Sequence, residues 1–76
     1  MMPPSSPVQD YDVELDVVAE GFPRYTIDLV GDRLRYLEPR LSVRHGRTVV
    51  DLRVRATDAD AAHQYARRRI ALELQH

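Results

Sequence analysis

Hydrophobic and polar residues alternate along the chain from Tyr11. Tyr11, Val13, Leu15, Val17 and Ala19 fall on one side of an extended backbone, and Asp12, Glu14 and Asp16 on the other. A period of two predicts a strand with one face buried. Glu20-Gly21-Phe22-Pro23-Arg24 supplies turn residues, and alternation resumes through residues 25–30. A loop over residues 20–24 opposes Ala19 to Tyr25, Val17 to Ile27 and Leu15 to Leu29.

Two glycine-containing pairs then read as hairpin tips. Gly31-Asp32 suits a type II′ turn, with glycine at the first central position. It sets Leu29 against Leu34 and Ile27 against Tyr36 inside, and Asp28 against Arg35 outside. His45-Gly46 sets Val43 against Thr48 and Leu41 against Val50 inside, and Arg40 against Asp51 outside. Opposed residues share a face, so both registers are chemically consistent. The core-facing parity changes at Glu38-Pro39, which predicts one long strand over residues 33–44 bent by a β-bulge, or two shorter strands split at Pro39. The last strand continues through Leu52, Val54 and Ala56, with Asp51, Arg53 and Arg55 facing away.

The period then changes. Thr57-Asp58-Ala59-Asp60 is a helix start, a capping residue followed by acids that suit the positive end of the macrodipole. Ala59, Ala62, Ala66, Ile70 and Leu74 form one stripe at helical spacing, small enough at its start to lie close on a sheet. Tyr65 and Leu72 sit on a flank. The pattern predicts an α+β fold in which a four-stranded antiparallel meander, five-stranded if split at Pro39, precedes one C-terminal helix packed on one face (β-β-β-β-α). Residues 1–9 read as a flexible Pro/Ser-rich tail and residues 10–76 as a single domain.

Composition narrows the chemistry. A chain of 76 residues buries only about 60% of its unfolded surface, so a partner is one way to complete its core. It holds no cysteine, hence no disulfide and no thiolate site. Three glycines do not make a phosphate cradle. Ser5, Ser6 and Ser42 lack a nucleophile context, and His45, His63 and His76 lack ligand spacing. Asp16 and Asp28 fall close together in the first hairpin register, where an exposed pair bridged by Arg35 is the simpler reading than a proton-sharing or cation site. These residues define no catalytic, metal or cofactor site. No apolar run reaches the roughly 18 residues of a membrane span, and the N-terminus has no secretory-signal pattern, which favours the cytoplasm and excludes a membrane partner.

Charge is unevenly placed. The first 32 residues carry seven carboxylates against Arg24, and the remainder ten arginines against five carboxylates. Acidic strands beside basic ones would neutralise each other. Arg33, Arg35, Arg44, Arg53 and Arg55 could instead present a backbone-binding face to nucleic acid, although Tyr11, Tyr25 and Tyr36 read as core rather than as stacking platforms. Arg67, Arg68 and Arg69 fan around the helix axis rather than forming one patch. Four antiparallel strands and a helix resemble the unit of Whirly-type and Pur-type single-stranded nucleic-acid binders, which implies nucleic acid as the alternative partner. The leading expectation is a non-catalytic interaction module with a protein partner, self-associating as a homo-oligomer through apolar positions left outside the core: Tyr65, Leu72, Val18 and Val49. A small enzyme using Asp16, Asp28 or His63 ranks last.

Overall fold

The computed structural model describes residues 7–75. Its elements are β1 (Gln9–Asp16), α1 (Thr26–Arg33), a 3₁₀ turn (Arg35–Leu37), β2 (Arg40–Arg44), β3 (Arg47–Ala56) and α2 (Ala59–Leu74). The class is α+β, as expected, but the sheet has three strands in the order β1-β3-β2, both pairings antiparallel. Most of the segment read as a Pro/Ser-rich tail, residues 1–6, lies outside the described residues.

The expected second strand is a helix. Thr26, Val30, Leu34 and Leu37 are all buried, at spacings of four, four and three, and Ile27 packs beside them. That stripe is helical, and it coexists with an alternation over residues 25–30 short enough to mimic a strand. The chain turns into α1 through N–H donation from Thr26 to the Pro23 carbonyl and from Ile27 to that of Arg24. Gly31 and Asp32 therefore lie inside α1 rather than at a hairpin tip, and Gly31 is not among the positive-φ glycines. Tyr25 and Tyr36, expected in the core, are each 58% exposed. Asp28 sits on the exposed side of α1, so neither its pairing with Arg35 nor its approach to Asp16 occurs. The long bent strand over residues 33–44 is replaced by the 3₁₀ turn, closed by Glu38 in the left-handed region (φ 51°), with the strand beginning only at Arg40. With two helices and three strands, the Whirly-like and Pur-like topology does not hold.

The sign of one substitution separates helix from hairpin. Gly31→Ala is expected to stabilise the fold by about 0.5–1 kcal/mol, because glycine inside a helix costs that much relative to alanine. A Cβ built on Gly31 meets nothing within 4 Å. At a type II′ turn the same change would destabilise, so a lowered urea midpoint would contradict α1.

β1 takes β3 as its partner, with Leu15 opposite Val50, Val13 opposite Leu52 and Tyr11 opposite Val54. On the other face Asp10 opposes Arg55 and Asp12 opposes Arg53. Glu14 opposes Asp51, a like-charge pair on that face, so it is the unbroken apolar pairing on the buried face that fixes the register. The β2–β3 hairpin turns on His45 and Gly46, both at positive φ (52° and 76°). That is the type I′ pattern, whose twist suits flanking strands.

Both helices lie on one face of the sheet. The core joins Val13, Leu15 and Val17 of β1 and its exit to Val50, Leu52 and Val54 of β3, and these to Val30 and Leu34 of the α1 region and Ala62, Ala66 and Ile70 of α2. The Asp58 carboxylate caps α2 by accepting from the Ala61 N–H at 2.7 Å. Ala62 and Ala66 are fully buried against the sheet, so their small size sets how closely α2 approaches. Glu20, in the loop after β1, ties that loop to α2: one oxygen lies 3.3 Å from His63 Nε2 and the other forms an ion pair with Arg67 Nε at 2.8 Å. His63 is thus held by the loop rather than by the sheet. Among the described residues no helix is long and apolar enough to cross a membrane.

Candidate strand-pairing interface

The sheet face away from the helices is a lattice of opposite charges. Arg55 lies 3.5 Å from Asp10, Arg53 3.6 Å from both Asp12 and Glu38, and Arg44 3.3 Å from Glu14. Arg40 and Arg47 reach Asp12 and Asp16 at 3.8 and 3.7 Å. Apart from Arg47–Asp16, whose carboxylate is only 20% exposed, these are solvent-exposed pairs, each worth about 0–1 kcal/mol, so their main consequence is neutralisation. Of the arginines read as a nucleic-acid face, Arg44, Arg53 and Arg55 share this surface, each facing a carboxylate. Arg33 lies at the end of α1 near Glu73, at 3.8 Å, and Arg35 in the 3₁₀ turn. Asp16 spends one oxygen on the Val18 and Ala19 N–H groups, at 3.1 and 3.2 Å, closing the turn after β1.

The helix face is covered unevenly. Burial is deep over the centres of β1 and β3, with Tyr11 and Ala56 partly buried at one end, but stops at β2, where Leu41 is 56% and Val43 73% exposed. The hairpin register puts Val43 opposite Thr48. Thr48 in turn lines a groove of about 580 Å³ with Val18, Ile27, Arg24 and Arg47. The apolar side of β2 and this groove are therefore contiguous through Thr48.

Backbone groups at this edge can be assigned from one contact. The Val17 N–H donates to the Thr48 carbonyl at 3.4 Å, so Thr48 addresses the β1 side. Residues of an antiparallel strand alternate in the neighbour they address, so Arg47, Val49 and Asp51 address β2. Their partners Arg44, Ser42 and Arg40 are then the hydrogen-bonded members of β2. Leu41 and Val43 point both N–H and C=O away from the sheet. The same two residues carry the uncovered apolar side chains.

The residues expected to form an interface do not converge. Val18 is at the groove rim, and Val49 is half-buried on the charged face between Asp16 and Ser42. Tyr65 and Leu72 lie partly exposed on α2. Tyr65 neighbours Tyr36, and burial, then the Tyr36 hydroxyl, push its phenol above the ordinary range; Arg69 Nε donates to the Tyr36 hydroxyl at 3.0 Å. Leu41 and Val43 were missed because alternation marks which side of a strand is apolar but not whether anything covers it.

This fold and edge define a small α+β domain with an open, apolar-sided strand. No family model matches the chain, and no curated protein or solved structure matches it.

Proposed function

We propose that the chain is a non-catalytic interaction module that self-associates by adding the β2 strand of a second copy to its own. The observation that carries this reading is the coincidence at Leu41 and Val43 of exposed apolar side chains and outward backbone groups. An antiparallel two-fold centred on Ser42 sets Leu41 against Val43 of the second copy, and the reverse. Those are the residues whose N–H and C=O face out, so two hydrogen-bonded pairs form. Four aliphatic side chains then meet on the helix side, each worth up to about 1.5–3 kcal/mol if fully buried.

The register also opposes Arg40 to Arg44 of the second copy, a like-charge contact. Asp12 and Glu14 lie against these two arginines within each subunit, which offsets the repulsion. The same neutralised lattice gives the nucleic-acid reading little support, because a phosphate backbone would have to displace carboxylates already in register. Asp16, the carboxylate at the groove, is committed to the turn after β1 and to Arg47, which favours a structural over a catalytic role.

Sedimentation equilibrium on the purified chain tests the proposal. The expected result is a concentration-dependent dimer in the high micromolar range, as suits an interface on the small side. A strictly monomeric species there would overturn it.

A further inference from the structure

The turn after β1 meets the tip of the β2–β3 hairpin, and the groove of about 580 Å³ lies where they meet the approach to α1. That size falls within the roughly 300–1,000 Å³ of small-molecule sites. Its apolar lining is Val17, which is 2% exposed, with Val18, Ala19 and Ile27. Backbone bonds hold this lining in place. The Glu20, Gly21 and Phe22 N–H groups donate to the Asp16, Val18 and Val17 carbonyls at 2.9, 3.0 and 2.9 Å, and the Val17 N–H reaches Thr48 on the hairpin side.

Three ionisable side chains line the groove: Asp16, Arg24 and Arg47. Asp16 is fully engaged. One oxygen accepts from the Val18 and Ala19 N–H groups, and the other faces Arg47 at 3.7 Å. Arg24 forms no ion pair among the described residues. The carboxylates closest to it in sequence do not neutralise it. Glu20 gives its oxygens to His63 and Arg67, and Asp28 does not line the groove. Apolar walls therefore carry one positive charge without a partner.

We propose that this groove binds an aliphatic monocarboxylate, its carboxylate on the Arg24 guanidinium and its hydrocarbon chain along Val18, Ala19 and Ile27. Guanidinium N–H groups match a carboxylate as a two-bond fork, and the contact is charge-assisted. A single unmatched cation suits a monoanion, because a second negative charge would lie unpaired against the apolar walls. The site goes beyond strand pairing and stands independently of it, since neither Leu41 nor Val43 lines the groove.

The test titrates the full ¹⁵N-labelled chain with octanoate. Octylammonium keeps the tail and reverses the charge; acetate keeps the head and removes the tail. The expected result is saturable shifts of the Val18 and Ile27 amides at millimolar octanoate, with the same affinity at two protein concentrations. Octylammonium and acetate should bind about tenfold more weakly or worse. Arg24→Gln should also weaken octanoate about tenfold, as loss of a charged hydrogen-bond partner does. Arg24 and Val18 are exposed, so their variants leave the core intact, and Val18→Asp should abolish binding by placing a competing carboxylate in the groove. Four outcomes would overturn the proposal: no saturable shift at those amides, octylammonium binding as tightly as octanoate, acetate binding as tightly, which would mean an adventitious ion only, or an Arg24→Gln chain that binds octanoate like its parent.

Discussion

Leu34→Ala is expected to lower the unfolding free energy by about 2–5 kcal/mol, the range for truncating a buried leucine. Leu41→Ala should change it by less than about 0.5 kcal/mol at low micromolar concentration, as an exposed site does. Leu34 is fully buried where α1 gives way to the 3₁₀ turn, touching solvent nowhere, while Leu41 is mostly exposed on β2. Removing three carbons from Leu34 leaves a cavity beneath the junction of α1 and the 3₁₀ turn, within the core shared with β1, β3 and α2. For a domain of this size total stability is on the order of 5–10 kcal/mol, so the Leu34 variant should be near its unfolding midpoint in little urea. Urea unfolding followed by circular dichroism reads both. Equal losses at the two leucines would mean that β2 is as well covered as α1, contrary to the fold described.

Val43→Pro should raise the self-dissociation constant by about tenfold or more while leaving the monomer folded. The Val43 N–H points out of the sheet, so proline removes no bond to β3, and proline is tolerated on edge strands in that position. In the two-fold pairing that N–H donates to the second copy, and by symmetry the loss occurs twice. Two backbone hydrogen bonds at about 0.5–1.5 kcal/mol each correspond to roughly tenfold to a hundredfold. Ser42→Pro is the counterpart: its N–H lies in the β2–β3 ladder, so proline there should destabilise the monomer itself. Sedimentation and thermal unfolding of both variants separate the two effects. Self-association that survives Val43→Pro would move the interface away from β2.

Much of this architecture was legible in residue spacing. The two faces of β1, the His45-Gly46 hairpin down to each opposed pair, the helix start within residues 57–60 and the buried Ala62 and Ala66 all follow from period and turn chemistry, although that Asp58 is the capping residue came only from the structure. The segment from Tyr25 to Leu37 was not. Ile27 and Leu29 alternate with Thr26 and Asp28 as in a strand, and Gly31-Asp32 mimics a turn. The helical stripe that wins begins with a polar residue, Thr26, whose buried hydroxyl has no hydrogen-bond partner among the described residues. Without α1 in view, β1 was given the wrong neighbour, and Tyr25 and Tyr36 were placed inside. The candidate interface suffered in the same way. Which apolar positions stay uncovered depends on strand order, and the order β1-β3-β2 leaves β2 on the outside.

The most direct measurement is a single cysteine at the proposed two-fold axis. The chain has no cysteine of its own, so Ser42→Cys introduces the only thiol. In the proposed register Cys side chains from the two copies form a non-hydrogen-bonded pair with Cα atoms about 4.5 Å apart, within the roughly 4.4–6.8 Å that a disulfide spans. Under mild oxidation the expected result is rapid conversion to a covalent dimer that retains the native fold, far faster than for Asp60→Cys at the exposed start of α2. Equal rates for the two variants, or a Ser42→Cys chain that stays monomeric under oxidation, would contradict pairing through β2.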